Sequence, residues 1–120
     1  MWKYDQSSGE LTRDGKFVAR GYSGHQLGKN NPGLEGKVAV GPIPRGMWKF
    51  GAPVNRPQTI GPFAMPLTPV GHNALGRSGF FCHGDSARAP GTASHGCLIL
   101  ARNVREAIWA SGDRDLEVVE

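Results

Sequence analysis

The 18 glycines and 9 prolines of this 120-residue chain are spread so widely that few stretches between them can wind into a helix. Such punctuation excludes a helical bundle and predicts short strands joined by tight turns. One segment escapes it. Val104, Ala107 and Ile108 fall at helical spacing, and Gly112 stands where a helix would be capped at its C-terminus. The length suits a single domain spanning residues 1–120, large enough to bury a core without a metal or a disulfide.

The first third reads as an antiparallel meander. Trp2 and Tyr4 alternate with polar residues, Ser7-Ser8-Gly9 turns, Leu11 follows, and Asp14-Gly15 turns again before Phe17-Val18-Ala19. From Gly24 to Gly36 the chain is polar and rich in turn residues, which predicts a long loop of the kind that often carries function. Strands are then expected at Lys37–Val40 and Met47–Phe50 across the turn Gly41-Pro42-Ile43-Pro44-Arg45-Gly46. Others are expected at Phe63–Leu67, Gly79–His83, Cys97–Leu100 and, after the helix, Leu116–Val119. The class is therefore mostly β with one C-terminal α-helix.

The net charge is +4, yet the 14 lysines and arginines are scattered among acids, without the stripe and stacking aromatics of a nucleic-acid groove. A polyanionic matrix such as bacterial cell wall suits this charge, and nucleic acid is not expected as a partner. No apolar run approaches the roughly 20 residues of a membrane-spanning helix, so membrane insertion is not expected either. The opening Met1-Trp2-Lys3-Tyr4-Asp5-Gln6 lacks the apolar core of a signal peptide, so any export is expected to use another route.

The chemistry concentrates in Ser94-His95-Gly96-Cys97. A nucleophilic cysteine needs a base, donors for the oxyanion formed at the attacked carbonyl, and a turn that exposes its sulfur. Gly96 permits close backbone approach, so N–H groups near Gly96 and Cys97 can face the oxyanion. His95 or His83 can serve as base. His83 is preferred because it closes an apolar strand, while the linker Gly84–Ala93 can fold back to bring Cys97 beside it. An imidazole near pKa 6.5 and a thiol near 8.5 can share a proton. Cys82, next to His83 on a strand, should point to the opposite face and into the core. The same alternation argues against a zinc site built from Cys82, His83, His95 and Cys97, and neither metal nor cofactor is expected.

His83-Gly84 followed by Ser94-His95-Gly96-Cys97 resembles the signature of the YkuD-type L,D-transpeptidases, and the turn Gly41–Gly46 resembles the Gly-Pro-x-Pro-x-Gly turn upstream in that fold. Tyr22-Ser23-Gly24, Gly76–Phe80, Pro90–Ser94 and Ala110–Val118 resemble one compact branch, the L,D-transpeptidase-like effectors of type VI secretion. The resemblance spans nearly the whole chain. It implies a β-sandwich or barrel of antiparallel and mixed strands. It implies peptidoglycan stem peptides as substrate, with Cys97 attacking the carbonyl that joins diaminopimelate to terminal D-alanine. His83 would be base and then acid, the Gly84 carbonyl would orient it, and His95, Gly96 and Cys97 would shape the oxyanion pocket.

The wall-building enzymes of that family usually carry arginine two places after the cysteine, where this chain has Ile99. Another cation must then meet the substrate carboxylate, with Arg102, Arg45, Arg77 and Arg88 as candidates and Ser94 beside them in the binding region. This departure favours trimming or D-amino-acid exchange over cross-linking. The resemblance also implies delivery without a signal peptide, action in a target cell's periplasm, type VI secretion components as carriers and a cognate immunity protein. The alternatives are a cross-linking L,D-transpeptidase and a non-catalytic peptidoglycan-binding module.

Overall fold

The structure is a computed structural model that describes residues 1–120. Its first three strands form the expected meander: β1 (Trp2–Asp5), β2 (Glu10–Arg13) and β3 (Lys16–Arg20). Asp14 and Gly15 both take positive φ, 50° and 84°, which lets a two-residue turn follow the twist of β2 and β3. Tyr4 pairs with Leu11, and both side chains are fully buried. After β4 (Tyr22–Ser23) come β5 (Gly46–Phe50), β6 (Val54–Arg56), β7 (Gly61–Val70), β8 (Phe81–His83) and β9 (Leu98–Ile99). Helix α1 (Arg102–Ala110) precedes the last strand, β10 (Asp115–Val119).

These strands form one mixed, open sheet in the order β3-β2-β1-β10-β5-β7-β8-β9-β4, with β6 on the side of β7. Two ladders are parallel, β1 with β10 and β8 with β9. The two ends of this path, β3 and β4, are separated in the chain by Gly21 alone. Gly21 donates to the Gly9 carbonyl at 2.8 Å, and a Cβ added to Gly21 would run into the Ile99 carbonyl. The sheet thus curls until its ends touch at a glycine, with no ladder across the seam. Trp48, Ile43, Met65, Leu98, Leu100, Ile108 and Leu116 fill the interior.

Two expectations need correction. Lys37–Val40 is a run of turns rather than a strand, with Ala39 at φ 62° and Val38 exposed. Val40 spends its carbonyl on the His25 amide, so this segment docks on the preceding loop instead of an edge. The loop Gly24–Gly36 is itself wound into two 3-10 turns, Gln26–Gly28 and Pro32–Leu34. In α1 the buried positions are Arg105 and Ile108, while Ala107 is exposed; Gly112 follows the helix at φ 77° as expected. The core-facing stripe of the helix therefore carries a cation.

The seam at Gly21 can be tested by comparing two alanine substitutions. Gly21→Ala should lower the unfolding free energy by about 2–4 kcal/mol, because backbone must move to admit the methyl group. Gly15→Ala, at positive φ with open space around it, should cost only about 1–2 kcal/mol of backbone strain. Urea titration of the two variants measures the difference.

Candidate active site

The parallel ladder of β8 and β9 pairs Cys82 with Leu98 and His83 with Ile99. Paired residues share a face and alternate residues return to it. Cys82 and Leu98 therefore point together into the core, both fully buried. His83, Ile99 and, one step before β9, Cys97 belong to the opposite face. The Phe81 amide donates to Cys97 Sγ at 3.4 Å, which fixes the sulfur against the start of β8. Cys97 is half-buried and lines the wall of a cleft.

His83 is buried and its Nδ1 lies 2.8 Å from the Gly84 carbonyl. A carbonyl can only accept, so neutral His83 carries its proton on Nδ1 and presents the lone pair of Nε2 as the basic site. Burial pushes its pKa below the usual histidine value, against the opposing effect of the Gly84 carbonyl, and nearby Arg105 pushes the same way as burial. Burial likewise raises the Cys97 thiol, although the Phe81 amide and Arg77 favour the thiolate. No hydrogen bond joins His83 to Cys97. Both shifts favour the neutral forms, thiol and imidazole, over a thiolate–imidazolium pair.

Ser94 holds the turn before Cys97. It is fully buried, accepts from the Gly24 and Gly96 amides at 2.9 and 3.1 Å, and donates to the Cys97 carbonyl at 2.6 Å. Its hydroxyl is committed to the loop and is not free for a substrate. The Gly96 N–H is consumed in the same way, so Gly96 does not supply an oxyanion donor in this arrangement. The amides of His95 and Cys97 have no acceptor in the chain and remain available. Ser23, which sequence reasoning passed over, completes the turn by donating to the Gly96 carbonyl and accepting from the Ile43 amide.

Of the four arginines expected near a carboxylate, the structure brings one to Cys97. Arg77 is buried and lines the same cleft as Cys97, about 330 Å³ in volume, together with Phe80, His95 and Val38. Its guanidinium is spent on the carbonyls of Glu35, Gly41, Pro42 and His95 and stacks on Phe80. It clamps the Gly41-Pro42 turn to the loop that carries His95 and Cys97. Arg45 is exposed and paired with Glu35 and Glu120; Arg102 is exposed, beside Glu106 and over Phe63; Arg88 stands exposed on the 84–93 loop. His95 stacks on His25 with ring centroids 4.4 Å apart and places Nδ1 3.2 Å from the Ala39 carbonyl.

His83 lines a second, more polar cleft of about 460 Å³, with Asp85, Ser86, Thr59, Thr92 and Arg105. One wall is the 84–93 loop, tied down by Asp85, which accepts from Tyr22 Oη at 2.6 Å and from the Ser86 and Gly91 amides. These hydrogen bonds hold the Asp85 carboxyl below the usual range even though partial burial opposes them. Tyr22 in turn accepts from the Ala93 amide, and burial with Asp85 raises its phenol to about 12. Arg105 was legible only as a cation among the apolar residues of a helix, between Val104 and Ile108. No group of three or more His, Cys, Asp or Glu side chains gathers as a metal site.

No family model matches the chain, and no curated protein matches it.

The preference for the neutral forms has a measurable consequence. Without substrate, alkylation of Cys97 by iodoacetamide should follow thiolate formation and reach its half-maximal rate above the pH at which free cysteine does. A midpoint near neutrality would mean that a thiolate–imidazolium pair already exists.

Proposed function

We propose that this chain is a cysteine L,D-carboxypeptidase and D-amino-acid exchange enzyme acting on peptidoglycan tetrapeptide stems, with the architecture of an L,D-transpeptidase catalytic domain. The observation that carries the reading is the shared face of β8 and β9: Cys97 and a Nδ1-protonated His83 stand two residues apart along one parallel ladder, at a turn that leaves the Cys97 amide free. The mostly β fold with its single helix and the sequence resemblance support the same choice.

In this mechanism Nε2 of His83 takes the Cys97 proton as Sγ attacks the diaminopimelate carbonyl. The Cys97 amide receives the developing oxyanion. Collapse breaks the C–N bond, and His83 returns the proton to the departing D-alanine amine, leaving a thioester on Cys97. Water then attacks with His83 as base, releasing a shortened stem and the free thiol. A free D-amino acid in place of water gives exchange, and a second stem would give a cross-link. Histidine that is neutral at rest is the form both half-reactions begin from, so turnover should rise with pH as His83 loses its proton, at a pH below the ordinary histidine value.

Ile99, buried at the ladder position where wall-building enzymes carry arginine, favours hydrolysis or exchange over joining. The same reading makes the protein an antibacterial effector, carried by type VI secretion into a target cell's periplasm and restrained by a cognate immunity protein. A gene neighbourhood with neither secretion nor immunity genes would count against delivery. It would leave the chemistry untouched.

Purified muropeptides distinguish the readings. Wild-type protein should release terminal D-alanine, whereas Cys97→Ala and His83→Ala should each lose at least about a thousandfold in turnover while remaining folded. Cys82→Ala, on the core face, should retain most activity. New dimers would favour a cross-linking enzyme, and binding without turnover would favour a wall-binding module. Full activity in Cys97→Ala would sink the proposal.

A further inference from the structure

The His83 cleft contains a cation with an unused hand. Arg105 is 4 % exposed and belongs to no ion pair. Its Nε donates to the Leu100 carbonyl at 3.0 Å, and Nη1 donates to the Pro62 and Phe63 carbonyls at 2.9 Å each. Nη2 alone has no acceptor, and it is not sealed from solvent. The residue lines the cleft that contains His83. Gly84 lies against it: a Cβ there would stand 2.8 Å from Nη2, so glycine at 84 keeps this nitrogen uncovered.

A buried guanidinium without a carboxylate is costly, since three carbonyl dipoles replace water but leave a full positive charge. A carboxylate reaching Nη2 would gain a charge-assisted hydrogen bond in a partly desolvated site. The Ser86 hydroxyl on the same wall only accepts, from the Ala89 amide, and so can donate to one of its remaining lone pairs, whereas the Thr59 and Thr92 hydroxyls already donate to the Arg56 and Ala89 carbonyls. The carboxylate of Asp85 also lines the cleft, but it is occupied by Tyr22 and the amides of its own loop.

We propose that Arg105 binds the terminal carboxylate of the leaving amino acid, and that this contact makes the protein act on the last residue of a peptide. This rests on the cysteine mechanism proposed above, in which His83 protonates the departing amine. Cys97 and His83 line different clefts, so a peptide bond crossing from one to the other places its acyl side with Phe80 and Arg77 and its amine side with Arg105. The acid that serves the leaving amine and the cation that holds its carboxylate then occupy one cleft. Substrate class follows: a peptide ending in a single residue beyond the attacked carbonyl, with its carboxylate free.

Two measurements test this independently. In the first, wild-type protein is given a tetrapeptide stem and the same stem ending in a carboxamide. The acid should be turned over at least about tenfold better in kcat/KM, and Arg105→Lys should reduce that preference through KM while keeping it above that of Arg105→Met. Equal turnover of acid and amide by wild type would overturn the proposal. In the second, N-acetyl-D-alanine and its carboxamide are titrated against the wild type while the Arg105 guanidinium and His83 ring resonances are followed by NMR. Saturable shifts with the acid alone support the subsite, and equal shifts or none overturn it. Acid-specific binding with no turnover of either stem would remove the cysteine mechanism but keep the anion site. Turnover of the stem without acid-specific binding would do the reverse.

Discussion

The register of one short parallel ladder determines the rest of the site. Because β8 and β9 pair Cys82 with Leu98 and His83 with Ile99, two adjacent residues of β8 have opposite fates. Cys82 is sealed in the core, where burial pushes its thiol up to about 12, and it is chemically silent. His83 shares the other face with Cys97. A slip of one residue would exchange the faces, turning His83 and Cys97 into the core and bringing the Cys82 thiol to the cleft face. The flanking antiparallel ladders resist such a slip by fixing β8 against β7 and β9 against β4.

Two buried arginines shape the ground on either side of that ladder, and each faces a glycine. Arg77 stands against Gly96 and Arg105 against Gly84, where side chains would collide with the guanidinium. Both are solvated mainly by backbone carbonyls, which tie distant segments to the site: Arg77 holds the Gly41-Pro42 turn, and Arg105 joins α1 to the start of β7. The difference between them lies in what is left over. Arg77 spends both terminal nitrogens on carbonyls, whereas Arg105 keeps one. Their positive charge also biases the chemistry, since Arg77 favours the Cys97 thiolate while Arg105 disfavours protonated His83.

Local patterns carried the meander, the helix and the last strand, because alternation of Trp2 and Tyr4, the Asp14-Gly15 turn and the Gly112 cap each act over a few residues. The opposite faces of Cys82 and His83 were equally legible, since strand alternation requires them. What escaped was non-local. The parallel pairing of β1 with β10 joins the two ends of the chain, and no spacing announces it. Lys37–Val40 has the composition of a strand, but its Val40 carbonyl accepts from the His25 loop amide and the segment meets no sheet edge. Ser94 reads from sequence either as a substrate contact or, more naturally for a serine in a turn, as a residue that holds its loop, and its three hydrogen bonds give it the second role. Arg105 sits at the right spacing to be buried, but what its guanidinium meets there depends on Pro62 and Phe63, 43 and 42 positions away.

The central claim is that an acyl group passes through Cys97, and intact-mass spectrometry tests it most directly. Wild-type protein mixed with a tetrapeptide stem and quenched in acid within the first turnovers should gain the mass of the stem less D-alanine, located by digestion on the peptide containing Cys97. Release of D-alanine with the protein mass unchanged throughout, and with Cys97→Ala equally active, would contradict it.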